Sequence, residues 1–427
     1  MYSDLLRFRR RVLGNLRAGL DQLKLGTVRD PRRHGGRKHR VPGLLRMALL
    51  GLCSGASTLR EVEALSEDLE PRVRKGLRIG HRVPDTSLRS VLVAIDPDDL
   101  RRVNADLVRR AIRRKSIRND RFPCGVVSID GKTTMTPLVR GPFAQSQSET
   151  VSRGAVRTMT STLISSSAFP CLDASPIPAA TNEVGHFADA FRSLCSDFGE
   201  HFEVIMGDAG FLSAASADLV DAAGKGYAFQ VKDNAPTLVT AVAKCMAAGK
   251  PVATAESKPE REDGRWVVRR VSLFAIDPTL DVWDTYLHAK LFVRVERIES
   301  KTIAGTGDVL AARTFITNLT VGRFTADQWV RLVRDRWAVE NQNHGTFDIA
   351  FREDERPWIK EPQGLLVVTI LRRIAYNLLS LFRSVTQRSA DKREIAWRKL
   401  MTVARDALVT ATIDALAALR PRTPTTQ

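Results

Sequence analysis

Residues 125–133 read GVVSIDGKT. The apolar run Gly125–Ile129 is short and rich in branched side chains, which predicts a buried strand. Asp130 closes it, with Gly131 and Lys132 just beyond. Asp-Gly is also a hairpin signal, so Asp130 taken alone reads equally well as a plain turn. The surroundings decide the fold. Downstream, Val156–Ser165 and Cys171–Ile177 predict two further extended segments, followed by a helix near Val184–Cys195 and the strand His201–Met206. A helix over Ser213–Ala223, the strand Tyr227–Val231 and a helix from Pro236 complete the series. Strands alternating with helices imply an α/β fold with a mixed sheet covered on both faces.

Upstream, residues 1–41 read as a basic arm. Pro42 to about Ile117 has helical spacing, with Leu44, Leu45, Ala48, Leu49 and Leu52 on one face and Ser57-Thr58 before Glu61 resembling a capping box. Past Pro251 the texture turns β-rich as far as Leu319, through Trp266–Phe274, Ala289–Arg297 and Val309–Asn318, with a turn at Ala304–Gly307. Helix returns over Thr325–Asn343, where Thr325 and Gln328 suit a second capping box, and again over Pro362–Phe382. An amphipathic helix is expected over Asp391–Leu419, then a frayed tail, Pro421–Gln427.

The length of 427 residues suggests about three domains. Hydrophobic residues at 43% and charged residues at 27% permit core burial and exclude global disorder. No apolar run looks long enough to span a membrane, since Leu365–Leu371 stops at Arg372 and Arg373. The first residues lack a secretory pattern, so a cytoplasmic location is expected. Cys53, Cys124, Cys171, Cys195 and Cys245 form no C-x-x-C pair, which argues against a zinc ribbon or disulfide scaffold.

The net charge is +18, and it is uneven. Residues 1–120 hold 28 Lys/Arg against 14 Asp/Glu, and residues 121–427 hold 38 against 34. A basic front on a near-neutral body points to a polyanionic partner. Arginine dominates the runs Arg7–Arg11, Arg29–Arg40 and Arg109–Arg118, and its planar fork suits phosphate.

Three acids stand where chemistry collects. Asp130 follows the strand GVVSI, Asp208 follows FEVIM, and Glu340 lies in the helix from Thr325. Ligands gather at the carboxyl ends of strands in open α/β sheets. Carboxylates without thiolate partners suit a hard cation such as Mg²⁺, and two such ions support phosphodiester cleavage. Each acid has a plainer reading: Asp130 a turn, Asp208 a helix cap, Glu340 a solvated helix residue. Arg336 and His344 lie four residues either side of Glu340 and share its face. Glu353 and Asp354 compete with Glu340 as third ligand. Lys132 is a candidate phosphate contact or an exposed turn lysine; Lys232 and Asn234 touch DNA or make a turn. Gly131-Lys132-Thr133 is no Walker motif, because Val126 stands where that motif needs glycine.

Taken in order, these stretches carry a resemblance over most of the chain. VPDTSLRSVLVAIDPDDL (83–100), SIDGKT (128–133), TNE (181–183), GDAGF (207–211), YAFQVKDNAPTL (227–238), WAVENQNHGTFDIAFREDE (337–355) and LLVVTILRRIAYNLL (365–379) resemble the DDE transposases of bacterial insertion sequences, specifically the H-repeat-associated group. The chain departs from the wider family signature at Val333 and Phe347, where Tyr and Lys are expected, and matches it at Arg336 and Glu340. The stretch EDGRWVVRR keeps Gly264 and Arg265 but lacks the group's histidine.

The resemblance implies an RNase H-like mixed-sheet catalytic core with a β-rich insertion, behind an N-terminal basic helical domain. The expected divisions are 1–119 for the basic arm and helical DNA-binding domain, 120–250 for the first part of the core, and 251–319 for the insertion. The second part of the core would span 320–385, and the C-terminal helix and tail 386–427. It implies Asp130, Asp208 and Glu340 as the catalytic, metal-binding triad, with two Mg²⁺ ions that Mn²⁺ can replace. Lys132, Lys232, Arg265, Arg336 and His344 become candidate DNA contacts. The implied partners are double-stranded DNA, both element terminal repeats and target, and a second copy or more in a synaptic assembly near the bacterial nucleoid. No membrane partner is expected. A catalytically inactive DNA-binding or regulatory relative is the alternative, and a non-transposing nuclease a third.

Overall fold

The computed structural model describes residues 2–32, 38–137, 141–146, 154–277, 285–302, 307–336, 339–387 and 393–418. Most of the turn at Ala304–Gly307, part of the Arg29–Arg40 run, Trp337, the start of the expected Asp391–Leu419 helix and the tail Pro421–Gln427 lie outside them.

Among the described residues six α-helices come first: α1 Tyr2–Gln22, α2 Val41–Cys53, α3 Leu59–Asp68, α4 Pro71–Gly76, α5 Asp85–Leu92 and α6 Pro97–Arg113. The first occupies ground where the charge pattern suggested an arm. Val12, Leu13, Leu16 and Leu20 recur at helical spacing and are buried, so arginines on the other face obscured a core helix. The cap before α3 forms as its sequence suggests. Thr58 Oγ1 accepts from Glu61 N at 3.1 Å, and the Glu61 carboxylate accepts from Ser57 N at 2.8 Å.

The sheet begins with β1 Val126–Thr136, β2 Ala144–Ser146, β3 Gly154–Leu163 and β4 Cys171–Ile177. Then α7 Glu183–Phe198, β5 Val204–Gly207, α8 Ala214–Ala222, β6 Gly226–Val231 and α9 Pro236–Ala248 alternate. The β-rich stretch supplies β7 Ala253–Glu256, β8 Glu260–Glu262, β9 Arg265–Ala275, β10 Leu291–Ser300 and β11 Asp308–Thr317. It does not stand apart. β11 pairs with β6, so these strands prolong one eleven-stranded sheet in the order β2-β3-β1-β5-β6-β11-β10-β9-β7, with β4 also on β3 and β8 also on β9. β1 runs antiparallel to β3 and parallel to β5, and β5 runs parallel to β6.

Strand alternation divides the core. Val127 and Ile129 point into an apolar cluster with Phe187, Phe191 and Leu194 of α7 and with residues of α8 and α9. Val126 points the other way, into a cluster with Trp329, Leu332 and Val333 of α10 Ala326–Arg336. Thr325 and Gln328 cap that helix reciprocally, at 2.9 and 3.2 Å. Of the helix expected over Thr325–Asn343, the described residues show α10 to Arg336 and then, in place of regular helix, a π-helical turn, Val339–His344, followed by α11 Gly345–Ile349.

A third cluster joins α1–α6 to α12 Pro362–Leu381 and to the helix Trp397–Val409. The tail expected as one helix is broken: its described residues include the separate helices Trp397–Val409 and Ile413–Ala417, with Thr412 capping the second. Asn377 of α12 stitches the layers, donating to Asn104 of α6 at 2.9 Å and accepting from Cys171 N of β4 at 2.9 Å. Contrary to the reading from Leu365–Leu371, Pro362–Thr386 is long and apolar enough by length and composition to cross a membrane. It is the core helix of the bundle instead, with 94% of its most apolar window buried inside the protein.

Candidate active site

β1 does not end at Asp130. The strand continues to Thr136, pairing residue by residue with β3, so Asp130-Gly131 is no hairpin turn. On its other side β1 pairs with β5 over Val126–Ser128 only. Beyond Ser128 that edge has no β5 partner, and the carboxyl end of a parallel pair is where open sheets form their crevices. Asp130 stands two residues past Ser128; Asp208 stands two residues past its partner Met206. Adjacent parallel strands thereby deliver both acids to one level of the sheet. Asp208 also caps the next turn, accepting from Gly210 N at 2.9 Å, as its plainer reading expects.

Glu340 comes from the π-helical turn, a kind of distortion that recurs at functional sites. Its carboxylate is 47% exposed and lies 3.8 Å from the guanidinium of Arg336, which is buried. The Arg336 carbonyl accepts from Ser128 Oγ at 3.0 Å, tying α10 to β1. His344 Nδ1 lies 3.4 Å from Asp130 Oδ2, and both side chains are largely buried. Asn343 Nδ2 donates to Thr162 Oγ1 of β3, fixing the turn to a second strand.

Sequence reasoning placed Glu183 inside a motif but gave it no role. The structure brings it to the other acids. It opens α7 and lies over Gly131, where a Cβ would stand 2.1 Å from its carboxyl carbon. Burial, followed by Asp130, pushes the Glu183 carboxyl up, and Asp208 adds to the push against Arg157 and His344. Burial and then Asp130 likewise push Glu340 up, with Asp208 contributing and Arg336 and His344 opposing. Arg313 of β11, also unforeseen, sits near Arg336 and Glu340; burial and Arg336 draw its pKa down.

The other candidates scatter. Lys132 is neither an exposed turn lysine nor a free phosphate contact: it is 8% exposed and paired to Asp348 and Asp354. Lys232 is exposed just past β6, on the same sheet end as Asp208, and its neighbour Asn234 donates to Ala209 O at 2.8 Å. Arg265 is exposed at the β8–β9 hairpin. Counted along the strand registers, it lies eight residues, roughly 26 Å, beyond the level of Asp208 and four strands across. Glu353 is fully buried against Arg372 and Arg373, which hold its carboxyl down despite the opposing effect of burial. That consumes it as a rival ligand.

Much of the basic front is neutralised internally. Arg29 pairs with Asp96 and Asp99, Arg101 with Asp98 and Asp173, and Arg109 with Asp106 and Asp197. Arg113, Arg114 and Lys115, at the end of α6, are exposed and carry no acid partner among the described residues.

Among the described residues no three Asp, Glu, His or Cys side chains already close into a metal cage. The donor set still fits a hard divalent ion. Asp130, Asp208, Glu183 and Glu340 lie close enough to act on one another, with the Arg336 guanidinium beside Glu340, and burial first, then repulsion from Asp130, raises Glu183 and Glu340.

Residues 23–108 match the family model described as DDE_Tnp_1-associated, a span running from just after α1 through most of α6. No curated protein matches the chain in sequence. Among solved structures the chain is similar to a piggyBac transposase, in a cryo-EM synaptic complex with hairpin DNA, at 10% identity and a TM-score of 0.44. That match covers 99% of this chain and 80% of the other.

Proposed function

We propose that the chain is a DDE-type DNA transposase with an RNase H-like core, acting at the ends of an insertion sequence of the H-repeat-associated group. One observation carries the reading. Asp130, Asp208 and Glu340, separated by up to 210 residues in sequence, come together just past the end of the β1–β5 pairing, and Asp130 and Asp208 both act on the Glu340 carboxyl. The strand order β4-β3-β1-β5-β6, antiparallel over its first three members and parallel over its last three, supports the RNase H-like assignment. The match of residues 23–108 to a transposase-associated family supports the transposase reading.

Asp130, Asp208 and Glu340, with Glu183 beside them, would hold two Mg²⁺ ions, which Mn²⁺ would replace. When bound, such ions supply activation of a water or 3′-hydroxyl and charge stabilisation at the leaving oxygen. The remaining work falls to the chain's own groups. Arg336, anchored through its carbonyl to Ser128, offsets the charge of Glu340 and holds it toward the crevice. His344, with its proton on Nδ1, directs that proton toward Asp130 Oδ2 and fixes the carboxylate's orientation. Lys232 and the exposed cations at the end of α6 would meet DNA phosphates, and pairing two element ends would require a second copy. No serine or tyrosine nucleophile is assigned, because hydrolysis and strand transfer through these acids need no covalent protein intermediate.

The test is incubation of a labelled duplex bearing the native element end and a target plasmid with the full chain and Mg²⁺. The reading expects 3′-hydroxyl termini at the element boundary and joined products. DNA that is bound but never cut, with Mn²⁺ as well, would overturn it.

A further inference from the structure

One face of β1 holds the segment carrying the third acid at four successive points. Ser128 Oγ donates to Arg336 O at 3.0 Å. Asp130 Oδ2 meets His344 Nδ1 at 3.4 Å. Lys132 Nζ donates to the two Asp348 oxygens at 2.8 and 3.0 Å, and to Asp354 at 3.4 Å. Thr136 Oγ1 donates to Lys360 O at 2.6 Å. All four strand residues are even-numbered and therefore share a face, and their partners follow in chain order.

The middle two contacts fit one another. Asp130 and Lys132 are two strand residues apart, about 6.7 Å. His344 and Asp348 are four helical residues apart, about 6 Å. Strand and helix therefore advance in step, and the Lys132–Asp348 contact holds the segment in the register that puts His344 against Asp130. A slip of one residue in the strand would turn the opposite face to the segment.

Lys132 has nothing left for DNA. An ammonium offers three donors, and two Asp348 oxygens and one Asp354 oxygen engage it. It is also 8% exposed. The far side of the segment is anchored separately, by buried Glu353 on Arg372 and Arg373 of α12.

We propose that Lys132 is a positioning residue for the reaction: through Asp348 it sets the register of residues 339–349 on β1, and so brings Glu340 to Asp130 and Asp208. The role in turnover depends on the functional reading above; the register itself does not.

The test uses the full chain as wild type, Lys132→Met, Lys132→Arg, Asp348→Asn and the Met/Asn double variant. Three quantities are read: turnover at saturating DNA, DNA affinity across a salt series, and hydrogen exchange over 339–349. Partners that orient a metal-site ligand are commonly worth ~10–100-fold, so Lys132→Met and Asp348→Asn should each lower turnover by that order while DNA affinity and its salt slope hold. Exchange over 339–349 should quicken in both, Lys132→Arg should recover part of the loss, and the double variant should be no worse than the poorer single. A weaker affinity with a shallower salt slope, turnover and exchange being unchanged, would show a phosphate contact and overturn the proposal. Unchanged exchange in both single variants would overturn it as well. If Lys132→Met fails to fold, Asp348→Asn carries the test, since Asp348 is 37% exposed and its replacement keeps the lysine. A wild-type chain that never cuts DNA would defeat the functional reading alone, and the exchange data would still decide the register.

Discussion

Glu183 lies against the backbone of Gly131, so close that a Cβ at residue 131 would fall 2.1 Å from its carboxyl carbon and from Oε1. The contact puts the first residue of α7 beside the strand residue next to Asp130. Only glycine leaves room for it.

Gly131→Ala should therefore act on the site more than on the fold. The obstructing atoms are the end of a flexible side chain, so the cost should sit at the low end of overpacking, about 1 kcal/mol. Glu183 would be driven off the crevice. Thermal unfolding should show a small loss that Glu183→Ala relieves in the double variant, with DNA cleavage low in both. Cleavage by Gly131→Ala at the wild-type rate would contradict the placement of Glu183 in the site.

The burial of the acids, together with their mutual repulsion, has a defined pH signature. Glu340 and Glu183 have carboxyls raised above the ordinary value of 4.5. The folded chain therefore holds their protons more tightly than the unfolded chain, and metal-free stability falls as pH rises from about 4.5 through the raised values. Without divalent ions, Glu340→Gln should melt higher than wild type at pH 8, and the gap should close toward pH 4. Adding Mg²⁺ should raise the wild-type melting temperature at pH 8 and do less for Glu340→Gln.

The two glutamates that compete for the third-ligand role should part company. Glu353 is fully buried against Arg372 and Arg373, and its loss would leave two buried cations short of a partner. Breaking such a pair costs about 3–5 kcal/mol. Glu353→Gln should thus lower the midpoint of denaturant unfolding sharply, whereas Glu340→Gln should abolish cleavage and leave that midpoint at or above wild type.

The basic front should divide in the same manner. Arg101, 18% exposed and bound to Asp98 and Asp173, is structural, and Arg101→Ala should destabilise the chain. Arg113, Arg114 and Lys115 are exposed. If all three meet phosphates, neutralising them should flatten the log–log dependence of DNA affinity on salt by about 0.9 per contact. Filter binding between 50 and 200 mM salt reads this directly.

Local signals carried far here. Thr325 with Gln328, and Thr58 with Glu61, announced helix starts that form as capped ends. Branched runs such as Cys171–Ile177 became strands over the expected residues. Where the chain misled, the cause is nonlocal. GKTTMT lacks the apolar character of a buried strand, so β1 was expected to stop at Asp130; it continues because β3 pairs it and α7 and residues 344–360 cover it. The π-helical turn at Val339–His344 has no sequence signature, because it answers to anchors on β1 and β3. Lys132 read as a phosphate contact or an exposed turn lysine because its partner is 216 residues away. Glu183 had a motif but no visible companion until α7 packed on the sheet.

The most direct test of the central claim compares wild type with Asp208→Ala on a labelled duplex carrying the native element end. Metal-dependent nicking and DNA binding are measured on the same samples. The account predicts nicking by wild type with Mg²⁺, none by Asp208→Ala, and matching DNA affinity for the two. Equal nicking by both proteins would remove Asp208 from the chemistry. Binding by both with no nicking by either, Mg²⁺ and Mn²⁺ each tried, would contradict the enzyme and leave a DNA-binding relative.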